Sequence, residues 1–317
     1  MERKAENMQK AIIEELNVIM DENENVVVVN ADLGLLFKDG KDASHHPERV
    51  FDCGIAEPSM IGTAAGLALS GKIPYTTTIA EMAVTRVLEN IRLDAAYQHL
   101  NMTMFGQGRG VAYGVGGSTH VMVEDISMLR AIPGLTIIFP ADAYEARKAI
   151  NASVTYPGPK YISFARGVIE AVNPGMDYDY QIGKANTLRD GRDITIIACG
   201  DMVVNALDTA EELSKEGIDA RVINMHTIKP LDEEAILKAA HDTRAIVTVE
   251  THNKIGGLGA AVAQVIVEKS PSIPMKFIGI EDEFVPVGDE PYLYKHYGLD
   301  VPGFVRQVKE FCSTLKK

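Results

Sequence analysis

Cysteine is scarce in this chain: Cys53, Cys199 and Cys312 are the only three among 317 residues. They form no Cys-x-x-Cys pair, and no Cys/His spacing suits a metal, so neither a disulfide framework nor a zinc-type site is indicated. Cys53 and Cys199 lie in apolar, strand-like runs and are expected to behave as small core hydrophobes in a reducing, cytoplasmic setting. Positive charge is also short, with 31 Lys and Arg against 44 Asp and Glu, a net charge of −13. Nucleic acid and anionic membranes need a basic face, so neither is expected as the main partner. An anionic small molecule needs only a local Arg or Lys and stays open. No apolar run approaches the roughly 20 residues of a membrane span. The polar start, Met1–Asn7, is not a signal peptide. Gly-Lys-Ser/Thr is missing, so there is no P-loop. The glycine cluster Gly106–Gly117 leads into more loop instead of a helix, which a dinucleotide fingerprint would require.

What is present is the composition of a globular protein, 46% hydrophobic and 24% charged, long enough for two cores. Residues 3–21 are expected to be an amphipathic helix with Met8, Ile12, Leu16, Val18 and Ile19 on its apolar side. Asn25–Asn30 is a continuous β-branched strand of the kind parallel sheets bury. Residues 33–48 follow as a polar loop. Strand-like runs recur near 49–55, 74–79, 102–106, 136–140 and 160–165, with helical patterns at 57–70, 81–99, 124–131 and 142–154. The turn-rich stretch Asn173–Tyr180 breaks this rhythm. A second alternation then places strands at Ile194–Cys199, Ala220–Met225, Ala245–Glu250 and Met275–Ile280, and helices near 203–216, 231–241 and 257–269. The expectation is an α/β protein of two doubly wound domains, residues 1–175 and 189–317, joined by a linker at 176–188. The second domain is the smaller and its sheet mostly parallel.

Several residues could carry chemistry. Glu57 heads an apolar helix directly after a strand and a glycine. A carboxylate there is favoured by the helix dipole, and ligands of α/β proteins sit at this edge of the sheet. An ordinary first-turn charge is the competing reading. The Gly106–Gly117 cluster permits close backbone approach to a ligand. His120 ends that loop, and Glu124 and Asp125 open the next helix. Arg166 ends a strand, where a guanidinium suits a phosphate or another oxyanion, with a simple ion pair as the rival. His45 and His46 are expected in a solvated loop. Gly256 and Gly257 could turn backbone amides toward an anion or serve close packing.

The order of these pieces resembles a known family. Asp52–Glu57, Gly62–Leu69, Arg86-x-x-Glu89-x-Ile-Arg92, Gly117–His120, Glu124–Ile126, Arg130-x-Ile-Pro133 and Pro140–Asp142 resemble the pyrimidine-binding domain of transketolases. Arg189–Gly191, Ile194–Gly200, Glu250–His252, Gly256-Gly257 and Tyr297–Asp300 look like the transketolase C-terminal domain. The family's pyrophosphate-binding domain, with its Gly-Asp-Gly metal motif, has no counterpart, so the chain resembles the C-terminal subunit of a split, two-gene transketolase. The resemblance implies that thiamine diphosphate binds between two chains. An N-terminal partner subunit would supply the diphosphate and Mg²⁺ or Ca²⁺ site, leaving no metal ligand here. Glu57 would hydrogen-bond the aminopyrimidine and promote loss of the thiazolium C2 proton, after which a two-carbon ketol unit passes from a ketose to an aldose. Asp32 would lie near the cofactor. His120 would face cofactor and substrate, and Arg166 would hold the anionic end of the sugar. An α2β2 heterotetramer, or a β2 dimer of this chain alone, is implied.

The ligand-facing positions depart from the family pattern. Aromatic rings usually pack on the pyrimidine, whereas Thr78–Met82 offers Ile79 and Met82 as an apolar wall. Gly108 and Gly116 stand where the family carries a His and an Asp that bind sugar hydroxyls. Arg109 is new and joins the substrate-binding candidates. An unusual sugar, branched or sulfonated, is therefore one alternative. A deoxyxylulose-phosphate synthase or a 2-oxoacid dehydrogenase β-type enzyme is another, and a non-catalytic assembly subunit a third.

Overall fold

The structure, a computed structural model, describes residues 3–32, 44–172, 178–270 and 272–315. The first domain opens with β1 (Ala5–Asn7) and α1 (Met8–Glu22), followed by β2 (Val26–Asn30) and β3 (Val50–Asp52). Next come α2 (Glu57–Leu69), β4 (Ile73–Ile79), α3 (Ala80–Val84), α4 (Leu88–Asn90), β5 (Thr103–Gln107) and α5 (Asp125–Arg130). The domain closes with β6 (Thr136–Ile138), α6 (Ala143–Thr155), β7 (Lys160–Phe164) and β8 (Val168–Glu170). Among the described residues its main sheet has seven strands in the order β12-β6-β7-β5-β4-β2-β3, where β12 (Thr227–Lys229) comes from the second half of the chain. Six strands are parallel, and β12 pairs antiparallel with β6.

Val26–Val29 are all at most 3% exposed, as a strand covered on both faces requires. One face packs α1 and α6 over Val26, Val28, Tyr75 and Phe105, through Met8, Ile12, Leu16 and Ile150. Burying such side chains is worth roughly 1.5–3 kcal/mol each. The helix expected over 3–21 starts later, because Asn7 caps it by accepting from the Lys10 N–H at 2.9 Å. Residues 5–7 instead pair with β8. The opposite face carries Met60, Ile61, Ala64, Met104 and Phe139. There the helix expected over 81–99 is broken into α3, a 3-10 turn at Thr85–Val87, α4 and a π-helical stretch at Ile91–Ala96. Four β-branched residues, Val84, Thr85, Val87 and Ile91, weaken a regular helix here, and the break lets Arg86 reach Glu57.

The second domain has β9 (Asn186–Arg189), β10 (Ile194–Ala198), α7 (Met202–Lys215), β11 (Ala220–Asn224), β12, α8 (Glu233–Asp242) and β13 (Ile246–Asn253). It ends in α9 (Leu258–Lys269), β14 (Met275–Ile280), α10 (Glu290–Tyr297) and α11 (Val301–Thr314). Its sheet runs β14-β13-β10-β11-β9, parallel except at β9, so residues 186–188 lie in an edge strand. Neither α10 nor α11 was expected. Each starts on an aspartate cap, Asp289 or Asp300, with a proline in its first turn. Ile197, Cys199, Leu258 and Val262 share one apolar cluster with Ile137, Phe139 and Tyr161, so the core is continuous across the domains. Cys199 is a core residue, as expected, but Cys53 is only half-buried. No described helix is long and apolar enough to cross a membrane.

Candidate active site

The parallel sheet gathers several candidates at one edge. The chain passes from β2 outward to β3, returns through α2, and adds β4 on the other side of β2. This reversal opens a crevice at the carboxyl ends of β2 and β4, where open α/β sheets hold ligands. Asp32 follows β2, Glu57 follows β3, Ile79 ends β4, Arg109 follows β5 and Arg166 follows β7.

Glu57 is the first residue of α2 and is 3% exposed. Pro58 costs nothing in that first turn, where a backbone N–H has no helical partner. The Arg86 guanidinium donates to Glu57 Oε2 at 3.2 Å. The other carboxylate oxygen accepts nothing from the described residues. Asp32 adopts φ +54°, a left-handed backbone that Asp tolerates better than most residues. Its neighbour Asp52 accepts from the Gly54 N–H at 2.8 Å and tightens the turn leading to Glu57. Ile79 is buried and Met82 half-buried on the next turn.

A cleft of about 210 Å³ lies beside these elements. Glu81 and Thr85 form one wall, Ser118, Val121 and Glu124 another, and Phe284 with Val285 of the second domain closes it. Burial, and then the charges of Asp125 and Glu81, raise the Glu124 carboxyl above its ordinary range. His120 stands half-buried in the same loop, with Nδ1 2.8 Å from Thr119 Oγ1. The Thr119 hydroxyl donates to Gly116 O at 3.3 Å. A side chain at Gly116 would press on His120, whose Cγ lies 2.9 Å from where a Cβ would stand.

Arg109 is placed differently from the other candidates. It is 2% exposed, lies 4.4 Å over the Phe139 ring, and pairs with Asp201 of the second domain. Burial opposes its charge, but Asp201, joined by smaller contributions from Cys199, Asp125 and Tyr294, outweighs this and holds its pKa above the ordinary value. Asp201 also accepts from Thr251 Oγ1 at 2.6 Å and from the Tyr294 hydroxyl. Burial, with the Asp201 charge, pushes the Glu290 carboxyl beside Tyr294 up to about 7. The Arg109–Asp201 pair thus joins the two domains, its companions Thr251, Tyr294 and Glu290 lie within the second, and none of these residues lines the cleft.

Behind His120, α5 begins on Asp125, which is fully buried and accepts from the Tyr161 hydroxyl at 3.1 Å. Burial pushes Asp125 up to about 6, against the pull of Arg109 and Tyr161. His252, also buried, accepts from the Ser127 N–H at 3.4 Å and gives its Nδ1 proton to Asn253 O at 2.6 Å. Burial lowers its pKa, consistent with a neutral ring. The anion facing the Gly256-Gly257 turn is the chain's own Glu250, which accepts from the Leu258 and Gly259 N–H groups at 2.5 and 2.8 Å and caps α9. A Cβ at Gly257 would stand 2.2 Å from that carboxylate. His45 and His46 both turn to Asp21, at 3.1 and 2.7 Å. Among the described residues no cluster of His, Cys, Asp and Glu could hold a metal.

Residues 4–170 match the family described as the transketolase pyrimidine-binding domain, and residues 183–303 match the transketolase C-terminal domain. The chain belongs to the transketolase family. It is 40% identical to a protein from Phocaeicola vulgatus named as a subunit of apulose-4-phosphate transketolase, over 96% of this chain and 97% of that one. It is likewise 40% identical to a protein from a Clostridium species named as the SqwH subunit of 6-deoxy-6-sulfo-D-fructose transketolase, over 91% and 89%. A solved structure described as a split-gene transketolase, an inactive β4 tetramer, superposes with a TM-score of 0.88 at 35% identity, covering 98% and 99% of the two chains. The two domains are therefore those expected of a split transketolase's C-terminal section, and the family depends on thiamine diphosphate.

The local geometry fits that cofactor's pyrimidine. A buried carboxylate, held on one oxygen and open on the other, stands at the crevice. Arg86 is the residue whose role sequence reasoning missed. It stood in a recognised motif, but only the broken helix brings it to Glu57.

Proposed function

We propose that this transketolase-family chain supplies the pyrimidine-activating half of a two-subunit enzyme that transfers a two-carbon ketol unit between anionic sugars. The observation that carries this reading is Glu57, buried at the crevice with one oxygen bound to Arg86 and the other unengaged. Thiamine diphosphate, when bound, supplies a carbon nucleophile that accepts and releases the ketol unit. This chain's residues do the rest on their side of the site. Arg86 fixes the Glu57 carboxylate so that its open oxygen accepts from the pyrimidine ring. Ile79 and Met82 wall the ring from water, and Asp32 lies at the same crevice. His120 presents Nε2 to a substrate hydroxyl, and Arg166 grips the anionic end of the sugar. Arg109 is left out of the substrate contacts, because its pairing with Asp201 serves the domain interface.

The diphosphate and its Mg²⁺ or Ca²⁺ fall to a partner subunit, in keeping with relatives named as subunits. An α2β2 assembly is the proposed form. Exposed Leu93 and Tyr97, beside surface grooves of about 770 and 450 Å³, offer apolar area for it. The names of the two relatives point to a phosphorylated or sulfonated sugar outside the common pentose phosphates. Gly108 and Gly116 support this, since neither can bind a hydroxyl through a side chain.

Calorimetry and a ketol-transfer assay test the reading together. This chain alone is expected to bind thiamine diphosphate weakly. Mixed with its partner and Mg²⁺, it is expected to bind tightly and transfer a ketol unit. Tight binding by the isolated chain, or no transfer by a pair that binds the cofactor, would overturn the proposal.

A further inference from the structure

Tyr113 stands in the glycine loop on a fixed backbone. Gly110 and Met122 exchange hydrogen bonds at 2.8 and 3.0 Å across the loop. Tyr113 O accepts from the Gly116 N–H at 2.8 Å, and Gly114 O accepts from the Gly288 N–H of the second domain at 3.2 Å. The Tyr113 ring fills the space beside Gly108. A Cβ at Gly108 would fall 2.2 Å from Tyr113 Cε2, and the backbone there is left-handed at φ +65°. The same ring carries the Arg166 guanidinium on its face, with Cζ 4.8 Å from the ring centroid.

Arg166 is exposed and forms no ion pair with any described carboxylate. A guanidinium held by a ring face keeps its in-plane N–H donors unspent. A guanidinium held by a carboxylate would have committed two of them. An aromatic platform thus orients the cation while leaving its edge free for an oxyanion.

We propose that Tyr113 is a positioning residue for substrate specificity: its ring, admitted by Gly108, holds Arg166 edge-on to the phosphate or sulfonate of the sugar. The inference rests on the reading of Arg166 as the anion grip. The hydroxyl of Tyr113 plays no part in it, so a phenylalanine should serve as well.

The test uses the reconstituted two-subunit enzyme with three aldose acceptors: D-glyceraldehyde, its 3-phosphate, and the corresponding 3-sulfonate. Tyr113→Leu, or Tyr113→Met if the first does not fold, is expected to raise KM for whichever anionic acceptor is used, by about two- to fivefold. That is what a cation–π contact of about 0.5–1 kcal/mol at an exposed site gives at 1.4 kcal/mol per decade. KM for D-glyceraldehyde and kcat should stay near wild type, and Tyr113→Phe should behave as wild type. In an Arg166→Ala background, Tyr113→Leu should change nothing further. If Arg166→Ala weakens charged and neutral acceptors alike, the reading of Arg166 itself fails. If Arg166→Ala is selective for the charged acceptors but Tyr113→Leu is not, or if Tyr113→Phe is as impaired as Tyr113→Leu, the platform inference alone is overturned.

Discussion

At the scale of single residues, a charge is informative only with its partner. Glu57 and Arg166 were picked out in the sequence because each follows the end of a strand-like run, a position that one-dimensional periodicity can locate, whereas Asp32 entered only through the family resemblance. Arg109 occupies an equivalent position after β5, yet it turns into the domain interface and pairs with Asp201. That pairing depends on how two domains dock, which periodicity along the chain cannot show. Breaking such a pair strands a buried charge and typically costs about 3–5 kcal/mol. Arg109→Met is therefore expected to lower stability in chemical denaturation by that amount, and adding Asp201→Asn should cost less than the sum of the two single changes. Additive losses would show that the two residues are not coupled.

At the scale of elements, α5 is the piece that joins the site to the second domain. Its first residue, Asp125, lies 3.8 Å from the buried His252, and near its end Arg130 Nη1 donates to Gly256 O at 2.9 Å. Burial pushes Asp125 up to about 6 from an ordinary 3.8, which has a consequence of definite sign. Well below pH 3.8 the carboxyl is protonated in both the folded and unfolded states and does not alter stability. Between about pH 4 and 6 the unfolded chain ionises while the folded one resists, so stability is lost as pH rises, and the penalty is constant above that window. The full effect is on the order of 2–3 kcal/mol. Asp125→Asn should remove this share, so its stability relative to wild type should rise between pH 4 and 6.5. Parallel stability curves for the two proteins would contradict the assignment. The elements themselves differed in legibility. The long buried strands and amphipathic helices were plain from periodicity. β1, β8, β9 and β12 are three or four residues long and are defined by partners distant in sequence. α10 and α11 did carry readable signals, in their aspartate caps, early prolines and Gly298 at φ +63°. The break in the helix after β4 had only a cluster of β-branched residues to announce it.

At the scale of the whole molecule, the two domains act as one support. β12 leaves the second domain to extend the first domain's sheet, and a single apolar cluster runs through both. The glycine loop that bears Tyr113 and His120 is tied to the second domain at Gly288, and the cleft is closed by Phe284 and Val285. The second domain thereby fixes the loop from behind, while the crevice at β2 and β4 remains the face proposed for a cofactor shared with another subunit. The order of motifs along the chain made this architecture legible. The contents of the proposed sugar site were not, because Gly108 and Gly116 name what is absent and only the structure shows Tyr113 and His120 packed against them.

The central claim is that the Glu57 carboxylate activates the cofactor. It is tested most directly by the rate at which the C2 hydrogen of bound thiamine diphosphate exchanges with deuterium in the reconstituted pair. Glu57→Gln preserves shape and removes the charge. It is expected to slow that exchange by roughly 10²–10⁴-fold, the usual worth of a positioned acid–base group, while cofactor binding persists. Exchange as fast as in the wild type, with the cofactor bound, would contradict the account.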